Sequence, residues 1–204
     1  MEKIYDIVTD GDDVLIQSMK AFNRFHNKKY NRNFTISDYT TFDVCKLWGI
    51  SKEQFFIDEV EFYESDFYNE VEEEEGGYEV VECLSQSYNV RVVTGRGIDV
   101  AHHLPVTLAK LYAPDHFASI DHVGSAHNSN LLVHKWEKCK LYNAPLMIDD
   151  YPGHLLNAAE NGIHGILLSK PWNNRIRDLP KNIDRARNLH EVLEIIMKKR
   201  HMLF

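Results

Sequence analysis

The chain has 204 residues, 44% of them hydrophobic and 26% charged, with a formal net charge of −8 and three cysteines. The apolar fraction excludes disorder, no segment recurs at a fixed period, and no run of about 18 apolar residues offers a membrane span. The acidic balance argues against a protein that coats a nucleic-acid polymer. Cys45, Cys83 and Cys139 are odd in number and lack C-x-x-C spacing, which disfavours a disulfide framework or a zinc ribbon. With no apolar h-region in MEKIYDIVTDGDD, the expected location is a reducing cytoplasm, of a cell or of a host if the chain is viral.

In chain order, residues 4–9 (IYDIVT) read as a strand running into the acidic loop Asp10-Gly11-Asp12-Asp13. Three helices are expected next, over Ile16–Lys28, Ser37–Leu47 and Ser51–Tyr63, the last opening with the Ser51/Gln54 spacing of a capping box. This stretch is rich in aromatics, Phe22, Phe42, Trp48, Phe55 and Phe62 among them. The run Glu70-Val71-Glu72-Glu73-Glu74-Glu75, before Gly76-Gly77, is expected to return the chain as a solvated segment. A helix over Gly77–Gln86 leads to a strand, Val90–Thr94, closed by Gly95-Arg96-Gly97. A weaker strand at Phe117–Ile120 follows, then a helix over Trp136–Leu141 and a strand at Pro145–Ile148 that ends in Asp149-Asp150. The pattern finishes with a helix at Leu155–Glu160, a strand at Gly165–Leu168, and a helix carrying Leu189, Val192, Leu193 and Ile196 on one side.

Short apolar runs alternating with helices predict an α/β fold, a doubly wound, Rossmann-like parallel sheet. Residues 1–15 and 76–204 would form that core, and residues 16–75 a helical cap inserted after the first strand.

In such a sheet, ligands bind at the carboxyl ends of the strands. The polar groups expected there are Asp10, Asp12 and Asp13, then Thr94, Gly95 and Arg96, then Asp149 and Asp150. Residues i and i+2 of a strand point the same way, so Asp10 and Asp12 can share one site. Crowded carboxylates titrate upward unless a cation compensates, and a hard ion such as Mg²⁺ suits their oxygens. With that ion neutralising phosphate, one carboxylate can attack phosphorus while the second serves as acid and base. The plainer alternative is a loop of turn-forming aspartates capping the next helix.

IVTDGDDVL, VRVVTGR, His134-Lys135 before a helix, and LMIDD resemble, in order and spacing, the four motifs of haloacid dehalogenase-like phosphohydrolases. KWEKCKLYNAPLMIDDYP, AAENGI and LLSKPWN are similar to the 5′(3′)-deoxyribonucleotidase group and its bacterial and phage relatives. The resemblance implies a core with a C1 cap and a Mg²⁺-dependent 5′-nucleotidase working through an aspartyl-phosphate. Asp10 would be the nucleophile and Asp12 the acid and base, with Thr94, Gly95 and Lys135 holding the phosphate. Mg²⁺ would sit on Asp10, the Asp12 carbonyl and the fourth-motif acids, with Asp150 as direct ligand and Asp149 beside it or on a metal-bound water. Alternatives are a phosphatase for another small phosphoester, such as a sugar phosphate, or an inactive nucleotide-binding relative. The expected partner is a small phosphate ester, with a homodimer left open, and neither a nucleic-acid polymer nor a membrane.

Three departures from the pattern stand out: Gly11 replaces a larger residue, no proline follows Arg96, and the acidic run replaces a proline-containing hinge. The histidines, including His102, His103, His116, His122, His127 and His134, lack zinc-site spacing and read as scattered. Cys139, flanked by Lys138 and Lys140, reads as a buried helix residue. The polar loop Gly124–Asn130 either touches phosphate or only connects. Arg96 either contacts phosphate or pairs with an acid near the cap, and Pro171-Trp172-Asn173 is expected to pack a loop. Most cap aromatics are packing, with Phe42 and Trp48 the candidates for stacking a base.

Overall fold

A computed structural model describes residues 5–123 and 134–203; Ile4 and the Gly124–Asn130 loop lie outside the described residues. Six parallel strands, β1 (Tyr5–Thr9), β2 (Tyr88–Thr94), β3 (Ser119–His122), β4 (Leu146–Asp149), β5 (His164–Leu168) and β6 (Ile183–Ala186), lie in the order β3-β2-β1-β4-β5-β6. This is the doubly wound α/β arrangement expected from the sequence.

Strand side chains alternate between two covered faces, which is why the strands read as unbroken apolar runs. Ile7, Val90, Leu146 and Ile166 pack under α5 (Gly77–Ser85) and α9 (Leu189–Leu203). Their neighbours Val8, Met147 and Leu167 face the other way, against Cys139 of α7 (Lys135–Leu141) and Leu155 of α8 (Pro152–Glu160). A third cluster joins α1 (Ser18–Tyr30), α2 (Val44–Trp48), α3 (Lys52–Tyr63) and α4 (Asp66–Asn69) to Leu104 and Leu108 of α6 (His103–Leu111) and to Val92 of β2.

Two expectations need correction, and others gain detail. Ser37–Leu47 is not one helix: a 3-10 turn at Ile36–Asp38 and short α2 flank an open segment containing Thr40, Thr41 and Phe42. Thr, Ser and Asp compete with helix through local side-chain bonds, and here Thr35 with Asp38, and Asp43 with the Lys46 N–H, form caps instead. The opening lets Tyr39 turn inward, where its hydroxyl donates to Asn23 Oδ1 at 2.7 Å.

The acidic run lies at the surface as expected, with Glu70, Glu72 and Glu75 exposed, and it is also tied down. Its backbone pairs with the outgoing chain, Gln17 N donating to Glu72 O at 2.9 Å and Glu74 N to Leu15 O at 2.8 Å. Lys20 and Lys170 take Glu72 and Glu74 as partners, each at 2.6 Å. The entry and exit of the helical insertion are thereby clasped together.

The weak strand lies two residues further on, at Ser119–His122, and two elements lacked a readable signal. β6 (IDRA) is an edge strand too short and polar to register, and α6 opens on His-Leu-Pro.

Candidate active site

The register Thr9↔Ile148 aligns the ends of β1 and β4, so Asp10 emerges beside Asp149. The Asp10 N–H donates to Ile148 O at 2.9 Å, extending the ladder one step past the strand. Strand order reverses between β1 and β4, and there an open α/β sheet leaves its ligand crevice.

Lys135, at the first position of α7, is buried and reaches both acids, its Nζ 2.8 Å from Asp10 Oδ2 and 2.8 Å from Asp149 Oδ2. Burial alone would lower the lysine, but these two carboxylates raise it well above its usual value. Asp10 is raised to about 6: burial is the largest cause, and Asp149 and Asp12 add to it against the opposing Lys135 charge. Its Oδ1 also accepts the Gly11 N–H at 2.7 Å. Gly11 leaves no slack in the loop, because a Cβ there would lie 2.7 Å from Leu104, which fills the space.

Asp12 is committed to Arg96, whose Nε and NH2 reach its two oxygens at 2.7 and 2.6 Å. Burial would raise Asp12, but the Arg96 charge and its hydrogen bonds outweigh that and hold it below the ordinary carboxylate range. Arg96 is itself buried, donating through NH1 to Tyr68 Oη at 2.8 Å and stacking 4.5 Å from the Tyr63 ring centre. Of the two roles left open for Arg96, the described contacts are those of a pair with an acid. Thr94, also buried, accepts the Arg96 N–H at 3.2 Å and stands 3.5 Å from Asp12 Oδ2. Thr94 and Gly95 both line the cavity described below.

At the end of β4 the two acids have different surroundings. Asp149 takes Lys135, the Tyr151 N–H at 2.8 Å and His154 Nδ1 at 3.1 Å. Burial opposes its charge, but Lys135 and His154 hold it well below the usual value. Among the described residues, the Asp150 carboxylate accepts only the Trp172 indole N–H, at 2.7 Å. Burial, then the neighbouring Asp149, Asp13 and Asp10 charges, push it well above the usual range. Asn173 supports that loop, donating to the carbonyls of Asp150 at 2.9 Å and Leu168 at 2.7 Å.

Asp10, Asp149 and Asp150 each offer an oxygen within 4.8 Å of the others, all three residues being buried. One lysine cannot neutralise three carboxylates. Crowded hard oxygen donors short of positive charge are a fitting donor set for a divalent cation such as Mg²⁺.

Above this floor lies a cavity of about 440 Å³. Asp10, Asp12, Thr94 and Asp150 contribute from the sheet edge, and Phe22, Phe42, Phe55, Glu59, Phe62 and Tyr63 from the helical insertion. Phe42 stands in its wall, 39% exposed, edge-on to Tyr151 with ring centres 4.6 Å apart. Trp48 does not line the cavity. It is buried among the helices, stacked 3.8 Å from the His26 ring, and its indole donates to Tyr39 Oη at 2.9 Å. Its size and one polar atom are both satisfied by packing there.

The sequence pointed to neither His154, Glu59, Tyr63 nor Tyr68. A readable signal existed for Glu59: positions 55, 59 and 62 form one helical stripe, and an acid interrupts two phenylalanines.

Comparison with known proteins agrees with this geometry. The Bacillus subtilis (strain 168) protein "Putative nucleotidase YqfW" is 26% identical over 193 residues, covering 94% of this chain and 93% of its own. Among solved structures, a haloacid dehalogenase-like family hydrolase from Streptococcus pneumoniae matches with a TM-score of 0.65 at 17% identity, covering 96% of this chain and 100% of the other. The magnesium-bound HAD-hydrolase YfnB from Bacillus subtilis matches with a TM-score of 0.64 at 13% identity, over 96% and 99% of the two chains. With residues 3–202 matching the family model "5′ nucleotidase, deoxy (Pyrimidine), cytosolic type C protein", the chain belongs to that family of haloacid dehalogenase-like hydrolases.

Proposed function

We propose that this chain is a Mg²⁺-dependent 5′-nucleotidase that hydrolyses (deoxy)ribonucleoside monophosphates through an aspartyl-phosphate on Asp10. The observation that carries the reading is Asp10 held by Lys135 at the floor of an aromatic-walled cavity, with Asp12 two residues on. Its volume of about 440 Å³ falls within the range usual for small-ligand sites. The nucleotidase named among the relatives supports the substrate class, and the magnesium-bound neighbour supports the metal.

Lys135, Thr94 and Gly95 bind the phosphate, and Lys135 keeps Asp10 ionised for attack. An Asp10 oxygen forms a bond to phosphorus as the bond to the leaving oxygen breaks, and Asp12 gives that oxygen its proton. Asp12 then takes a proton from water as the water oxygen attacks phosphorus. Phosphate leaves and the Asp10 carboxylate is restored. Arg96 holds Asp12 as a carboxylate, the form needed in this second half. The first half needs the acid form, so Arg96 must release Asp12 as substrate enters, and phosphate oxygens offer its guanidinium a replacement.

Asp10, Asp150 and the Asp12 backbone carbonyl would hold Mg²⁺, with Asp149 kept beside them by Lys135 and His154. When bound, the ion neutralises charge on the phosphoryl oxygens. Residues 16–75 act as a cap over the core of 1–15 and 76–204, and screen the site from water. Three free cysteines fit a reducing cytoplasm, and among the described residues no helix is long and apolar enough to cross a membrane.

Phosphate release from nucleoside monophosphates and sugar phosphates, with Mg²⁺ or with excess chelator, tests the reading. Nucleotides should be preferred and chelator should abolish turnover. A preference for sugar phosphates would overturn the substrate, and full activity in chelator would overturn the metal.

A further inference from the structure

Two consecutive acids on α3 have opposite surroundings, as the 100° step of a helix allows. Asp58 turns into the cap and is fully buried, and its Oδ1 accepts from Lys29 Nζ at 2.7 Å, Gln54 Nε2 at 2.9 Å and Tyr30 Oη at 3.0 Å. Glu59 turns to the cavity, in the same stripe as Phe55 and Phe62. Among the described residues it has no hydrogen-bond or ion-pair partner.

The nearest cation does not serve Glu59: Asp12 holds it here, and in the occupied site proposed above the phosphate oxygens take it instead. Arg96 spends Nε and NH2 on Asp12 and NH1 on Tyr68, with its plane against Tyr63. Burial, then the Asp12 charge, raises Glu59 to about 7, with Arg96 opposing. Glu59 is half-buried, so its carboxyl gives up part of its hydration in a largely aromatic wall, a cost that a donor on a bound ligand would offset. A ligand that closes over this wall removes the remaining water, and the carboxyl then needs a donor on the ligand.

We propose that Glu59 is a specificity-determining residue, the cap's hydrogen-bond acceptor for an N–H or O–H donor on the nucleoside part of the substrate; this rests on the nucleotidase reading above. The sheet edge supplies phosphate-binding groups, which treat every phosphomonoester alike. The aromatic wall supplies flat contact area without direction. Glu59 is the carboxylate acceptor of the cap wall, standing with the Ser18 and Tyr63 hydroxyls among the cavity's lining groups, and it can distinguish a leaving group with donors from one without. Its charge also disfavours a leaving group carrying a second anion, which would meet Glu59 and Asp12 together.

Glu59→Ala, Glu59→Gln and the unchanged protein are compared with Mg²⁺ present on deoxynucleoside monophosphates, deoxyribose 5-phosphate and p-nitrophenyl phosphate. The readout is each substrate's kcat/KM divided by that for p-nitrophenyl phosphate. For nucleotides this ratio should fall about tenfold or more in Glu59→Ala, about 1.4 kcal/mol, through KM. Glu59→Gln, which keeps a carbonyl acceptor, should recover part of the loss. Neither variant should melt below the unchanged protein, since no hydrogen bond or ion pair among the described residues is lost and the relieved repulsion from Asp12 outweighs the lost attraction to Arg96. A matching fall for deoxyribose 5-phosphate assigns the donor to a sugar hydroxyl, and a fall confined to nucleotides assigns it to a base N–H. Ratios that survive in both variants overturn the role of Glu59 while leaving the nucleotidase reading standing. An unchanged protein that does not favour nucleotides over p-nitrophenyl phosphate overturns both.

Discussion

Replacing Arg96 with methionine tests whether the pair with Asp12 holds the site together. Methionine keeps an unbranched stem and removes the charge, so Asp12 loses both of its short bonds in a cavity that also holds Asp10, Asp13 and Asp150. Removing one partner of a buried ion pair costs about 3–5 kcal/mol, because the other charge stays uncompensated. The Arg96 side chain is 2% exposed and that of Asp12 24%, so the lower end applies, about 3 kcal/mol. In a chain of this size that is a fall of about 6–12 °C in melting temperature. Asp12→Asn removes the opposite partner, and the double variant should recover about 1–3 kcal/mol relative to the sum of the singles.

The pH dependence follows from the sign of the shift. Arg96 holds Asp12 below its unfolded value, so the pair stabilises the protein above that value and the contribution is lost as pH falls through the folded one. In Arg96→Met the two largest lowering causes are gone, and burial, the largest cause of all, is opposed among the described residues by the Ser18 hydroxyl and the Lys135 charge alone, so Asp12 rises. Its carboxyl then favours the folded state at low pH and opposes it as pH rises, so the variant's deficit should be larger at pH 8 than at pH 5. Thermal melts of the four proteins of the cycle, in chelator at both pH values, measure all of this. A single variant melting within about 2 °C of the unchanged protein at pH 8, or strictly additive losses, would refute the reasoning.

Asp10→Asn should lower turnover by several orders of magnitude, as loss of a nucleophile does. Its melting temperature should hold, because Lys135 keeps Asp149 and a crowded carboxylate is gone; near-normal phosphate release would remove Asp10 from the nucleophile's role. Phe42→Ala should raise KM for a nucleoside monophosphate about tenfold, given roughly 1–3 kcal/mol for stacking a base on an aromatic ring. Trp48→Ala should instead cost about 3–5 kcal/mol of stability, as large-to-small changes in a packed core do, with KM little altered. Steady-state kinetics beside thermal melts separate the two, and equal effects on KM would contradict the burial of Trp48 against His26.

The sheet and its reactive edge were legible in the sequence because both depend on local rules. Strands buried on two faces must be apolar throughout, and acids or hydroxyls that end such strands must meet at the carboxyl edge. Asp10, Thr94 and Asp149-Asp150 follow from that alone, and the resemblance added Lys135. The helical insertion showed itself by breaking the strand–helix alternation, yet its internal layout did not. Nothing in the order of Phe42 and Trp48 distinguishes an aromatic in a cavity wall from one at the centre of a bundle. Only packing decided it: Tyr39 turned inward, opened the expected helix and offered Trp48 a hydroxyl, leaving Phe42 to face the cavity. Partner choice was equally out of reach for Arg96, which closes on Asp12 across 84 residues of sequence. Strand ends are set by neighbours along the chain and by the common direction of a parallel sheet. The pairing of a buried charge, and which face of an inserted helix lines the cavity, are set by residues far away in sequence, and those the tertiary structure alone decided.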